Sequence, residues 1–162
     1  MIERTLVIIK PDGVQRSLAG RIISRFEDAG LKIVGMKMNW IDDAFAKEHY
    51  SDIGERYGKR ILENLVNYIK EGPVIAMILE GVDAVENVRK IRGSTYPNEA
   101  LPGTIRGDFS HISKNYANKK ERKVGNLIHA SATSKEAKEE IKLWFSIDEL
   151  HNYKTVHEQH TF

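Results

Sequence analysis

The chain contains no cysteine, which excludes disulfides, thiolate nucleophiles and cysteine-ligated zinc or iron–sulfur sites and mildly favours a cytoplasmic address. It also lacks any apolar run near the roughly 20 residues that a membrane helix needs. The opening run Leu6-Val7-Ile8-Ile9 is too short for a signal-peptide core, and Lys10-Pro11-Asp12 closes it without a small-residue cleavage site. Net charge is scarce as well: 25 basic against 23 acidic side chains leave +2, so any action on polyanions must rest on local clusters. Several phosphate and hydrolase signatures are missing. Gly54-Glu-Arg-Tyr-Gly58-Lys59-Arg60 is one residue short of a P-loop and lacks its Ser/Thr, no Gly-x-Ser-x-Gly occurs, and the six histidines give no His-Glu-x-x-His pair. His151, His157 and His160 fall in a polar tail, 151–162, that reads as solvated.

What is present is an ordinary globular composition, 41% hydrophobic and 30% charged over 162 residues, enough for one core and expected to form one domain, 1–162. Thr5 to Ile9 and Val74 to Leu79 are unbroken apolar runs that read as central strands, the second ended by Glu80-Gly81. Leu31 to Trp40 alternates and reads as a third strand with Met36 and Met38 in the core. Ile22, Ile23, Phe26 and Ala29 mark a helix over 17–29. Asp42 or Asp43 caps a helix through His49-Tyr50, and 60–70 forms another. Asp83 to Glu86 resembles a capping box before a helix ending at Gly93, and Thr133 to Glu136 forms one before the helix carrying Ala137, Ile141 and Trp144. Residues 94–108 make a long loop of the kind that is functional, and 113–123 is an exposed basic excursion with Lys114, Lys119, Lys120, Arg122 and Lys123. The order β, α, β, helices, β, α, loop, β, α predicts an α/β fold of the ferredoxin-like split β-α-β kind, an antiparallel sheet with helices packed on it.

The chemistry centres on Val124 to Ser131. Leu127 and Ile128 are apolar, Ala130 and Ser131 small, so a short strand is expected to deliver His129 at its exposed end. Lys10 stands where Pro11 stops the first strand, Arg89 and Arg92 share one helix, and Arg106 lies in the long loop. These cations suit phosphate oxygens, arginine as a bidentate fork and lysine as a point charge. A neutral imidazole beside them can attack phosphorus itself, splitting one transfer into two easier ones through a phosphohistidine.

Three segments carry a resemblance: Glu3 through Lys10-Pro11-Asp12-Gly13-Val14, then Pro102-Gly-Thr-Ile-Arg106-Gly-Asp-Phe109, and Asn126-Leu-Ile-His129-Ala-Ser131. Together, and in this order, they make the chain closely similar to the nucleoside diphosphate kinases over nearly its whole length. The resemblance implies ping-pong transfer of the terminal phosphate of a nucleoside triphosphate such as ATP to a diphosphate, with Mg2+ held mainly by the nucleotide phosphates and no protein metal site. It implies His129 as nucleophile, with Glu140 steadying its other ring nitrogen and Ser131 beside that carboxylate. Lys10 and Asn126 match groups on the sugar hydroxyls and phosphates; Tyr50, Arg89, Thr95 and Arg106 match the phosphate-binding set, Tyr50 also being placed to touch the histidine. Relatives in the family are dimers built up into hexamers or tetramers, so a homo-oligomer is implied, in the cytoplasm, with no membrane and no obligatory nucleic acid.

Two stretches depart from the family pattern. The Pro-Phe-Phe segment that supplies the aromatic stacked on the base is replaced around Arg56-Tyr57-Gly58-Lys59-Arg60, which leaves Tyr57 or Ile61 for that role. The basic excursion is longer than the usual link before the histidine strand, in a loop that in relatives serves both cleft and subunit contacts, so assembly is where deviation is expected. A ferredoxin-like nucleic-acid module is disfavoured because the strands at 31–40 and 74–80 carry almost no ring to stack a base. An inactive regulatory homologue is disfavoured because every matched group is chemically unaltered.

Overall fold

The computed structural model describes residues 1–161. In chain order these form β1 (Ile2–Ile9), α1 (Pro11–Gln15), α2 (Ala19–Glu27), β2 (Lys32–Asn39), α3 (Asp43–His49), α4 (Ile53–Tyr57), α5 (Lys59–Ile69), β3 (Val74–Val82), α6 (Ala84–Arg92), a 3₁₀ turn (Pro97–Glu99), α7 (Ile105–Phe109), α8 (Lys114–Lys119), β4 (Ile128–Ala130), α9 (Ser134–Trp144), a second 3₁₀ turn (Ile147–Glu149) and α10 (Glu158–Thr161). The sheet order is β2-β3-β1-β4 and every pairing is antiparallel. With helices connecting β1 to β2 and β3 to β4, this is the expected ferredoxin-like fold. No described helix is long and apolar enough to cross a membrane.

Alternation along the strands builds two cores. Val7, Ile9, Met77, Leu79, Ile128 and Ala130 face one side, against Ile22 and Phe26 of α2, Val88 of α6 and Ile105 of α7. Leu6, Ile8, Ala76 and Ile78 face the other, against Ala46 of α3, Val66 and Ile69 of α5 and Trp144 of α9. Each fully buried Val, Leu, Ile, Met or Phe among them contributes roughly 1.5–3 kcal/mol, so the central strands are fixed in register from both faces. His129 pairs with Ile8 and therefore belongs to the α3 and α9 side.

The helix starts show where local signals held. Asp42 accepts from the Phe45 amide and Thr133 from the Glu136 amide, each satisfying an orphan N–H of a first turn. Asp83 makes no such cap; it sits at φ 45° and takes the N-terminal ammonium at 2.8 Å. Strand β3 runs on through Glu80 to Val82 because Glu80 is paired with Arg4 and Lys32.

Other expectations are corrected. Met36 and Met38 are exposed, not core: a register shift between Ile33 and Gly35 breaks the alternation of an edge strand. The C-terminal tail is not solvated throughout. His151 donates its amide to Val34, the Tyr153 hydroxyl donates to Ile33 at 2.6 Å, and Lys32, buried, reaches the Tyr153 carbonyl and Glu158 at 2.9 and 3.0 Å. The basic excursion contains α8, capped by Ser113 and pinned by the fully buried Ala117, and Lys123 is paired with Glu71. The long loop 94–108 holds the first 3₁₀ turn and the start of α7.

Candidate active site

The site is built at β4, the sheet edge opposite β2. Ahead of β4, Leu127 adopts φ 68° and the Ile128 amide donates to the Asn126 carbonyl at 2.8 Å. A buried leucine in the left-handed region costs about 1–2 kcal/mol. The tight turn is held by Leu127's own groups: its amide donates to Asp12 Oδ2 at 3.1 Å and its carbonyl accepts from the Lys10 amide at 2.8 Å. It leaves Asn126 pointing at the end of β1, where Asn126 Oδ1 accepts from Lys10 Nζ at 2.9 Å and Nδ2 donates to the Thr95 carbonyl at 3.1 Å.

His129 follows in the middle of the three-residue strand, not at an exposed end, and its side chain keeps only 18% of its accessible surface. Helix α9 supplies the reason. Glu140, one turn before buried Trp144, accepts from His129 Nε2 at 2.7 Å with Oε1 and from the Ser131 hydroxyl at 2.6 Å with Oε2. Because Nε2–H is given to the carboxylate, Nδ1 is the lone-pair nitrogen. Burial, then the charges of Lys10, holds the imidazole pKa well below its ordinary value, so at neutral pH the ring is uncharged and nucleophilic. Burial pushes Glu140 up.

A cleft of about 210 Å³ opens beside the ring, lined by Lys10, Tyr50, Arg92, Thr95, Arg106, Asn126, His129, Glu136 and Glu140 and also by Asp52, Ile53 and Leu65. Lys10 is buried, and burial followed by the Arg106 charge lowers its pKa to about 7. Arg106 is lowered to about 9 and Arg92 to about 10, in both cases chiefly by burial. Three desolvated cations in one small cleft make a place that waits for an anion.

Arginines also complete the open edge of β4. Residues 127 and 131 turn their backbone toward β1, so the carbonyls of 126, 128, 130 and 132 point outward with no strand beyond them. Arg106 donates Nε to Asn126 O at 2.9 Å and Nη2 to Ile128 O at 2.6 Å, and its Nη1 reaches Ser94 O and Gly93 O at 3.1 and 3.4 Å. Arg92 reaches Ala130 O at 3.4 Å, and Arg89 donates to Ala132 O at 2.6 Å. Arg89 thus lines a neighbouring groove of about 810 Å³ and not the histidine cleft.

Lys10, Tyr50, Thr95, Arg106, Asn126, Ser131 and Glu140 are therefore brought to His129, while Tyr57 is 55% exposed and held by Arg56 outside the cleft, and Ile61 is 44% exposed. Sequence reasoning missed His49. Its ring stands 4.7 Å from that of His129, its Nδ1 accepts from Trp144 Nε1 at 3.2 Å, and burial lowers its pKa to about 3. The available signal was its spacing: three and four residues after Ala46 and Phe45, it is a polar group on the apolar face of α3.

A ferredoxin-like sheet that presents a carboxylate-held neutral imidazole to a cation-lined cleft defines a phosphoryl-transfer site of the covalent kind. The family model described as nucleoside diphosphate kinase matches residues 3–150, and the chain belongs to the nucleoside diphosphate kinase family. It is 46% identical over 156 residues to the nucleoside diphosphate kinase of Borreliella burgdorferi, covering 95% of this chain and 93% of that one. It is 51% identical over 152 residues to that of Pyrococcus furiosus, covering 94% and 88%. Among solved structures, the Borrelia burgdorferi enzyme, a transition-state mimic with vanadate and ADP, superposes with a TM-score of 0.95 at 45% identity, covering 99% of this chain and 96% of that one. A Halobacterium salinarum nucleoside diphosphate kinase in complex with CDP gives 0.84 at 42% identity, covering 98% and 97%.

Proposed function

We propose that the chain moves the terminal phosphate of a nucleoside triphosphate to a nucleoside diphosphate through a phosphohistidine on His129, with the cytoplasmic nucleotide pool as its setting. The observation that carries this reading is the Glu140–His129 Nε2 contact, which fixes the lone pair on Nδ1 of a neutral ring that lines a cationic cleft. The Nδ1 lone pair attacks the γ-phosphorus; an N–P bond forms, the bond to the β,γ-bridging oxygen breaks, and its electron pair leaves on the diphosphate. A second diphosphate reverses the step. Lys10 and Arg106 neutralise the phosphate oxygens, and Asn126, held by Lys10 and Thr95, orients the nucleotide. The buried Tyr50 hydroxyl, without a hydrogen-bond partner among the described residues, is a donor available to the phosphoryl group.

The residues suit a magnesium ion that arrives on the nucleotide. Mg2+ takes oxygen ligands in a demanding octahedron, whereas Glu140 is bound to His129 and Ser131, Glu136 to the Ala132 amide and Asp52 to Arg56. Such an ion supplies charge neutralisation on the phosphates. Base recognition by stacking on an exposed side chain such as Tyr57 or Ile61 would read neither base nor sugar closely. Assembly into dimers and then hexamers or tetramers fits the second half of edge strand β2, where Met36, Met38 and the following Trp40 are exposed; light scattering that gave an active monomer would refute it.

The reaction is tested with γ-labelled ATP. Wild type should acquire acid-labile, alkali-stable phosphate and pass it to a non-adenine diphosphate, and His129→Ala should do neither. Transfer by a folded wild type that never carries label would replace this mechanism with a direct one.

A further inference from the structure

We propose that Arg92 grips the phosphoryl group in transit at His129, a position to which the family resemblance, unlike for Arg89 and Arg106, gives no phosphate role. The proposal rests on the phosphotransfer reading above and deepens it. Three guanidinium groups lie along the open edge of β4, and they differ in what they have left to give. Arg106 binds four backbone carbonyls, from 2.6 to 3.4 Å, so the N–H groups it brings to the phosphates are already shared with the backbone. Arg89 is turned to Ala132 O at 2.6 Å, in the neighbouring groove.

Arg92 is the loosely anchored one. Its contacts are Nε to Gly93 O at 3.3 Å and Nη1 to Ala130 O at 3.4 Å, both longer than the 2.7–3.2 Å of a good N–H···O bond. No carboxylate pairs with it among the described residues. It lines the same cleft as His129 and borders the groove of Arg89. As the last residue of α6 it sits where the helix's negative end favours a cation, which is how the chain keeps an unpaired guanidinium there. A planar fork with free N–H groups beside the nucleophile can span two equatorial oxygens as charge spreads over them in the transition state.

The test compares wild type, Arg92→Met, Arg92→Lys and Arg89→Met, with folding checked by circular dichroism. Three quantities are read: ADP affinity by calorimetry, inorganic vanadate affinity at saturating ADP, and the single-turnover rate of His129 labelling from ATP. Removing a charge-assisted fork should weaken vanadate and slow labelling by about 10- to 100-fold while ADP affinity stays within about 3-fold. Arg92→Lys should fall between, and Arg89→Met should lose less than Arg92→Met on vanadate. If Arg92→Met fails to fold, Arg92→Lys decides, since an ammonium cannot span two oxygens and vanadate must still weaken several-fold. Unchanged vanadate affinity, an equal loss of ADP affinity, or a larger vanadate loss in Arg89→Met overturns the proposal. A wild type that forms no phosphohistidine overturns the phosphotransfer reading instead.

Discussion

Raising the pH should discharge Lys10 in the free protein long before it discharges an ordinary lysine. Its ammonium has Asn126 Oδ1 at 2.9 Å and the Tyr68 ring at 4.8 Å but no ion-paired carboxylate among the described residues. Burial, then Arg106, lowers its pKa to about 7, with Arg92 and Lys123 acting in the same sense and Asp12 against them. A bound phosphate adds negative charge beside it and must raise that pKa, so the nucleotide binds together with a proton. Since kcat/KM reports the free protein and kcat the complex, kcat/KM should decline above about pH 7 while kcat stays flat to higher pH. By pH 9 about 1% of the free protein would keep the ammonium if its pKa is near 7, but the decline is capped by what the charge contributes, about 10- to 100-fold for a charge-assisted hydrogen bond. Lys10→Met sets that floor and should show no such decline. The assay is a coupled pH–rate series on both proteins, with calorimetry in two buffers of different ionisation enthalpy to count proton uptake. A parallel decline in Lys10→Met, or a wild-type kcat/KM flat to pH 9, would refute the reasoning.

Glu140→Gln keeps the size of the side chain but removes the charge that fixes the His129 tautomer, so labelling of His129 should slow about 10- to 100-fold in quenched-flow measurements, with Ser131→Ala slowed less. In acid the sign is opposite to that of an ion-paired carboxylate's partner. His49 and His129 have folded pKa values below the ordinary 6.5, so the unfolded chain binds more protons between that value and about 3 and stability must fall as the pH drops through this window. Urea midpoints should show it, and His49→Gln, whose carbonyl still accepts from Trp144 Nε1, should flatten the slope. Deleting 151–162 removes Glu158 and the Tyr153 carbonyl from buried Lys32. That should cost about 1–3 kcal/mol, seen as a lower Tm, with single-turnover labelling of the folded fraction little changed because no described tail residue lines the cleft.

Much of the fold was legible because the apolar runs of β1 and β3 and the periodicity of α2, α5 and α9 are each locally consistent with the sheet they join. The misreadings share a physical cause. Alternation alone places Met36 and Met38 in the core, and a bulge near Gly35 breaks it. The tail's polar composition does not reveal that Lys32, buried on another element, takes two of its partners from there beside Glu80. For the site, Lys10, Arg106, Asn126 and His129 were visible in motifs, yet their sequence positions say nothing about which arginine faces which carbonyl. Arg89 and Arg92 differ by three positions on one helix, and only the geometry of the β4 edge separates a guanidinium at 2.6 Å from one at 3.4 Å.

The same edge explains why the nucleophile is where it is. A central strand has both rows of backbone groups filled by neighbouring strands; β4 has only β1, so its outward carbonyls would be left to water or to aggregation. Arginines from α6 and α7 fill them instead. Those helices pack on one face of the sheet, while Glu140 and His49 come from helices on the other, and only at an edge can side chains from both faces meet at one residue. The hydrogen bonds that complete the strand therefore also deliver its positive charge. Shifting β4 by one residue would turn His129 into the opposite core and strip each arginine of its carbonyls along 126–132, so the register of three residues fixes the tautomer, the field and the position of the nucleophile together.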